Sequence, residues 1–363
     1  MLSYVSGCGP GGKMKPILVK GSEAIALGAL AADCRCYFGY PITPQNEIPE
    51  LMARELPKRG GVFLQAESEL AAVNMLLGAA STGVRAMTSS SSPGISLMAE
   101  TFSYLAALEL PAVIVNVSRG GPGLGGIEAS QGDYFQATRG AGHGDYHFLV
   151  LSPASIQEAY ELTARAFELA ERYRQPAMIL TDALLGQMKE PLRPRKLRIR
   201  RYPVEDWALT GAKGRPGRTL RSLFLGPGEL RARNLLLQKK YRAMRREARA
   251  EVLYAEGAEL AVTAFGSLSR IVREAVEMAR EKGYSVAFVR PITLFPFPER
   301  PYQELSARGV PFLVVELNCG QMVEDVKLAV CGRAEVESWA LPPSDLPAPE
   351  DIYRRIRRCL ARR

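Results

Sequence analysis

From Lys15 onward the chain alternates short apolar runs with stretches of helical spacing, and no other feature restricts its fold as much. The runs "KPILVKG", "CRCYFGY", "VFLQA", "VRAMTS", "AVIVNVS", "HFLVLS" and "AMILTD" read as strands. Between them lie "SEAIALGALAADC", with Ser22 as its N-cap, "NEIPELMARELPKRG", "ELAAVNMLLGAAS", "GISLMAETFSYLAAL" and "SIQEAYELTARAFELAERYR", whose apolar residues recur at helical spacing. Strands that are apolar throughout must be covered on both faces, which is the environment of a parallel sheet between helix layers. In such sheets ligands bind beyond the carboxyl ends of the strands. That rule points to Tyr40–Pro44, Thr88–Pro93 and Ser118–Gly126.

A second, smaller α/β unit follows: strand "ELAVTAFG", helix "SRIVREAVEMAREKG", strand "SVAFVR", loop "PITLFPFP", strand "PFLVVELN" and helix "GQMVEDVKLAV". A length of 363 residues with 47% hydrophobic side chains is enough for two cores. The expected division is an extension over 1–14, a first domain over 15–189, a basic linker or insert over 190–255, a second domain over 256–340 and a tail helix within 341–363. The formal charge of +9 is concentrated between Lys189 and Ala250, where 19 Lys and Arg face 5 Asp and Glu. Such a segment suits a solvated linker or subunit contact, an acidic partner surface, or RNA.

No apolar run reaches the ~18–20 residues that span a bilayer. The start "MLSYVSGC" ends like a lipoprotein cleavage site, but too few residues precede the match for a leader. The expectation is an over-long start and a cytoplasmic chain. The six cysteines have neither the pairing of a disulfide framework nor the close spacing of iron–sulfur ligands.

Several stretches could carry chemistry. "GGPGLGG" contains GxGxxG through Gly121, Gly123 and Gly126, but Pro122 interrupts it and no apolar helix opens behind it, so the loop more plainly brings backbone N–H groups and Arg119 to a ligand. His143 and His147 are four apart, as metal ligands on one helix face would be; Gly142 and Gly144 argue instead for a hydrogen-bonded loop. "TSSSSPG" gathers hydroxyls and Gly94 at a helix start, where capping or anion binding is natural. Glu69 opens an Ala-rich helix, with Gly78 nine residues on allowing close packing; it is either a solvated residue favoured by the helix dipole or a buried carboxylate with a task. In "YFGYPITPQNE", Pro41 and Pro44 fix the backbone on both sides of Thr43.

Taken together, "GYPITPQNE", "ESELAA", "TSSSSPGISLMAE", "SRGGPG", "HGDY" and "ELNCGQM" resemble, in this order, the alpha subunits of 2-oxoacid:ferredoxin oxidoreductases, closest to the branched-chain (2-oxoisovalerate, or 3-methyl-2-oxobutanoate) type. The resemblance covers about Lys15–Asp182 and Glu259–Val330. It implies an α/β fold in which a thiamine diphosphate-binding (pyrimidine-domain) parallel sheet is joined to a smaller domain like the transketolase C-terminal domain. It also implies that Glu69 hydrogen-bonds N1′ of the aminopyrimidine, with Pro41, Ile42, Thr43, Ser92, Pro93 and Gly94 around the cofactor and Thr43 and Arg119 on the substrate. A guanidinium suits a 2-oxoacid carboxylate because it stays charged and binds bidentately.

By the same resemblance, a beta subunit carries the diphosphate, Mg2+ and a [4Fe–4S] cluster, with a gamma subunit, coenzyme A as acyl acceptor and ferredoxin as electron acceptor. No GDG motif followed ~25–30 residues later by Asn is present to hold magnesium diphosphate on this chain. Neither a membrane nor a nucleic acid is expected as a partner. Two other readings remain at this point: a non-redox thiamine-dependent decarboxylase or carboligase subunit, and a basic scaffold or nucleic-acid-binding protein acting through residues 190–250.

Overall fold

The computed structural model describes residues 15–343 and 346–362, so the expected 1–14 extension and its Cys8 lie outside the described residues. Among the described residues the strands form a seven-stranded sheet, a five-stranded sheet and a two-stranded ribbon. The large sheet runs in the order Thr293–Phe295, Leu149–Leu151, Ala177–Asp182, Val113–Ser118, Ala86–Ser90, Cys36–Gly39, Val62–Gln65. All its neighbours pair in parallel except Thr293–Phe295, which adds antiparallel at one edge. The apolar runs are the reason: every residue of Val113–Ser118 and Ala177–Asp182 is buried, so these strands need helices on both faces.

The smaller sheet runs Val336–Ala340, Phe312–Glu316, Leu260–Thr263, Val286–Pro291, Ala250–Leu253, with only the last strand antiparallel. The helices Leu268–Glu281 and Pro349–Ala361 pack together beside it, burying Val272, Val276, Ile352 and Ile356. One face of the smaller sheet, with Ala261, Ala287, Val289, Phe312 and Val314, is continuous with the apolar core of the large sheet, while Leu260, Val262, Val286, Phe288 and Leu313 form a second cluster with the two helices.

Several elements differ from the sequence expectation: Ser22 lies within the helix Gly21–Ala31, whose N-cap is Lys20, and "GISLMAETFSYLAAL" divides between the helices Ser92–Leu97 and Ala99–Ala107. "KPILVKG" does not join the parallel sheet: Ile17–Lys20 pairs antiparallel with Lys189–Leu192 in the two-stranded ribbon. The loop "PITLFPFP" contains the strand Thr293–Phe295, which crosses from the second unit to the edge of the first sheet. The basic helix, expected near "LLLQKKYRAMRREARAEV" from Leu235, runs instead over Glu229–Met244.

The basic segment itself packs against the first unit. Leu237, Tyr241 and Met244 are buried on one face of the helix. Arg233 and Lys240 reach Glu109 at 2.6 and 3.2 Å, Arg195 reaches Glu161 at 2.8 Å and Arg201 reaches Asp33 at 2.6 Å. Burial pushes the Lys240 amine down to about 8, with Glu109 pulling the other way.

Gln131 ties the two units together. Its N–H donates to Leu317 O at 2.8 Å, its side-chain amide donates to Phe265 O at 2.8 Å, and its side-chain oxygen accepts from Leu317 N at 3.1 Å. Beside it, Ser267 Oγ donates to the buried Asp182 carboxylate at 2.5 Å. Burial raises the Asp182 carboxyl; the Ser267 hydroxyl and nearby amides act in the opposite sense.

Candidate active site

Four strands side by side, Val62–Gln65, Cys36–Gly39, Ala86–Ser90 and Val113–Ser118, all run in parallel. The segments leaving their carboxyl ends therefore meet on one edge: Glu69 from the first, Pro41–Pro44 from the second, Ser91–Gly94 from the third and Arg119 from the fourth. This is where an open parallel sheet binds its ligands.

At the start of the helix Glu69–Ser81, Ser68 is the cap, accepting from Ala71 N at 3.2 Å. Glu69 is thereby released from capping and turned inward, 5% exposed, whereas Glu67 two residues earlier is exposed. Its hydrogen bond within the chain comes from Ser90 Oγ at 3.4 Å, at the long limit for such a bond. Gly94 lies directly against it. A Cβ on Gly94 would stand 2.4 Å from Glu69 Oε1 and 2.1 Å from Ser90 Oγ, so only glycine leaves that carboxylate in place.

Arg119 is 7% exposed. Its Nη1 donates to Thr43 O at 2.8 Å and its Nη2 to Leu124 O at 3.3 Å, while its Nε is buried without a partner. The contact to Thr43 joins two of the predicted substrate residues. Thr43 itself is exposed and lines a groove of about 750 Å³ with Ile127, Ala183, Leu184, Met188 and Leu346. Pro41 is exposed and Ile42 half-buried on the same turn.

Ser92 and Pro93 open the short helix Ser92–Leu97. The Ser92 hydroxyl is engaged within the chain, with Asp133 Oδ2 at 2.6 Å and Arg119 N at 3.0 Å. Thr88, Ser91 and Ser118 bury hydroxyls that have no partner. The structure thus brings Glu69, Ser90, Ser92, Gly94, Thr43 and Arg119 to one edge. Sequence reasoning missed Asp133 and Asn116, which meet at 2.8 Å behind Ser92. The only signal was an acid in "QGDYF", just past the Gly-rich loop.

The other candidates resolve differently. The Gly-rich loop turns back on itself, Gly126 N donating to Gly120 O at 2.9 Å and Arg119 bridging Ala129, so it opens no helix as a dinucleotide fingerprint does. His147 sits in a loop, stacked on Phe295 with ring centroids 4.1 Å apart; burial lowers its pKa. Among the described residues no three His, Cys, Asp or Glu side chains group as metal ligands, and no helix is long and apolar enough to cross a membrane.

A mostly parallel sheet covered by helices, joined to a second α/β unit, is the layout of a thiamine diphosphate-binding domain with its neighbouring domain. The chain belongs to the 2-oxoacid:ferredoxin oxidoreductases. Residues 27–252 match the family described as pyruvate flavodoxin/ferredoxin oxidoreductase, thiamine diphosphate-binding, and residues 258–351 match pyruvate:ferredoxin oxidoreductase core domain II.

The chain is 48% identical over 341 residues to the ketoisovalerate oxidoreductase subunit VorB of Methanothermobacter thermautotrophicus, covering 94% of this chain and 97% of that protein. It is 39% identical over 366 residues to the 2-oxoglutarate synthase subunit KorA of the same organism, covering 93% and 97%. Among solved structures, the 2-oxoglutarate:ferredoxin oxidoreductase of Magnetococcus marinus, with 2-oxoglutarate, coenzyme A and succinyl-CoA bound, aligns with a TM-score of 0.84 at 27% identity. That alignment covers 95% of this chain and 65% of the other. A split-gene transketolase aligns with a TM-score of 0.57 at 15% identity, covering 94% of this chain and 97% of the other, and shares the fold alone. The relatives are named as subunits, so this chain is one of several in its enzyme.

Proposed function

We propose that this chain supplies the aminopyrimidine side of a thiamine diphosphate site in an enzyme converting a branched-chain 2-oxoacid and coenzyme A to acyl-CoA, CO2, two electrons and a proton. The observation that carries the reading is the Glu69 carboxylate, buried and lodged against the Cα of Gly94. That cradle fits a flat ring whose N1′ needs a carboxylate partner. When bound, thiamine diphosphate supplies the nucleophile for the keto carbon and the electron sink for decarboxylation.

This chain's residues do the rest. Glu69 holds a proton shared with N1′, which tunes the basicity of the exocyclic amine. Pro41, Ile42, Ser92, Pro93 and Gly94 shape the wall around it. Arg119 pairs with the oxoacid carboxylate through its unpartnered Nε, and the Thr43 hydroxyl, on a turn set by two prolines, faces the same group.

Branched-chain specificity draws on the 48% identity to a ketoisovalerate oxidoreductase subunit against 39% to a 2-oxoglutarate synthase subunit. We assign the diphosphate, Mg2+ and a [4Fe–4S] cluster to a beta subunit, and place a gamma subunit and ferredoxin alongside it in the cytoplasm. Within this chain we take 15–189 and 256–340 as the two domains, with 190–255 between them.

The test is co-production with the partner subunits, followed by viologen reduction with a panel of 2-oxoacids. Wild type should reduce viologen fastest with 2-oxoisovalerate, and Glu69→Gln should lower thiamine-dependent turnover by at least about 100-fold. Undiminished turnover in Glu69→Gln would end the assignment.

A further inference from the structure

We propose that Asp133 is a positioning residue for Arg119, and through it for the carboxylate of the 2-oxoacid; the inference rests on the role given to Arg119 above. The backbone N–H of Arg119 donates to Ser92 Oγ at 3.0 Å, and the Ser92 hydroxyl donates to Asp133 Oδ2 at 2.6 Å. The same carboxylate oxygen accepts from Asn116 Nδ2 at 2.8 Å. Three separate pieces of chain meet there: a helix start, the strand Val113–Ser118, and the segment leading into the helix Tyr134–Thr138.

The direction of these bonds follows from the carboxylate. An ionised Asp only accepts, so Ser92 must donate its single proton to it and keep its lone pairs for Arg119 N–H. Arg119 O, at 3.3 Å from the same hydroxyl, is the weaker alternative beside a charge-assisted bond of 2.6 Å. An amide at 133 can offer Ser92 only a neutral oxygen in place of the carboxylate, or turn its NH2 there and send the Ser92 proton to Arg119 O; either change weakens the hold on the Arg119 backbone. With Asp133 in place, the backbone of Arg119 is pinned where the loop begins. Its guanidinium can then span Thr43 O and Leu124 O with Nε left for a ligand.

The Asp133 segment is in turn clamped by the second unit. Gln321 Nε2 donates to Gly132 O at 2.8 Å, and Phe135 N donates to Gln321 Oε1 at 2.8 Å, one contact on either side of Asp133. Asn318 Nδ2 adds a bond to Gln131 O at 3.0 Å. The stretch "ELNCGQM", which contributes no group to the site edge itself, thereby sets where Arg119 sits.

The experiment uses the assembled complex carrying Asp133→Asn, Ser92→Ala, both together, or Arg119→Ala. Steady-state kinetics with the 2-oxoacid are measured alongside bound thiamine diphosphate and the thermal midpoint. Asp133→Asn and Ser92→Ala should each raise KM for the oxoacid about 10- to 100-fold. In Asp133→Asn kcat should change far less, and cofactor content and midpoint should stay near wild type. The double variant should be no worse than the more affected single one, because both act through one chain of bonds.

An unchanged KM in Asp133→Asn, or a matching loss of cofactor, would overturn the proposal. Should Asp133→Asn fail to assemble, Ser92→Ala carries the KM outcome, an unchanged value overturning the proposal. If Arg119→Ala itself leaves KM unchanged, the role of Arg119 falls; if it raises KM while Asp133→Asn does not, only the role of Asp133 falls.

Discussion

Replacing Gly94 with alanine adds one methyl group beside the proposed cofactor carboxylate. The new Cβ would lie 2.4 Å from Glu69 Oε1, 2.9 Å from Glu69 Cδ and 2.1 Å from Ser90 Oγ. The Ser90 hydroxyl can rotate away. The Glu69 carboxylate, to reach an ordinary contact beyond 3.4 Å, must retreat by about 1 Å, a displacement that in an active site costs on the order of 100-fold in rate. The backbone itself offers no objection: Gly94 lies within the helix Ser92–Leu97 and outside the left-handed region, where Ala is favoured over Gly by about 0.5–1 kcal/mol. The expected variant is therefore well folded, with a thermal midpoint within a few degrees of wild type and viologen reduction down about 100-fold. Ser90→Ala in the same chain should not restore activity, since the carboxylate contact remains. Wild-type turnover in Gly94→Ala would refute the reasoning, and so would a loss of activity fully explained by unfolding.

Two predictions concern stability. Arg85 and Glu171, 4% and 7% exposed, form a two-pronged pair at 2.7 Å for each prong. Arg85→Ala leaves a buried carboxylate behind and should cost about 3–5 kcal/mol in denaturant unfolding; a loss below 1 kcal/mol would contradict it. Lys240, held by burial at about 8 against an ordinary 10.5, is protonated in the unfolded chain at pH values where the folded chain has already released the proton. Stability from this residue therefore rises with pH between about 8 and 10.5. Wild type should gain on Lys240→Met in urea midpoint between pH 8 and pH 10, and parallel curves would contradict the sign.

The sheet interior was legible because its physics is local. Val113–Ser118 and Ala177–Asp182 are apolar enough that only a doubly covered strand explains them. The edge strands of the smaller sheet were not legible. Val336–Ala340 is half-buried and carries Glu337 and Ser338, while Ala250–Leu253 sits in charged sequence, so neither has an apolar signature. Ile17–Lys20 reads as a strand correctly, but nothing in four residues says that its partner is Lys189–Leu192.

At the site, the residues alone left Glu69 either solvated or buried and the family resemblance singled it out; its burial depends on Ser68 taking over the cap. Gly94 looked like one more glycine at a helix start; its need to be glycine arises from Glu69, 25 positions away in sequence. Asp133 lies further still from such reasoning, since its partners come from two other elements.

The central claim is that the Glu69 carboxylate meets the aminopyrimidine across a boundary between this chain and a partner subunit. A high-resolution structure of the holo-complex with thiamine diphosphate measures it directly. We expect a Glu69 oxygen within about 2.5–3.2 Å of N1′, with the diphosphate held by the other chain. A ring beyond hydrogen-bonding reach of Glu69, or bound wholly within other subunits, would contradict it.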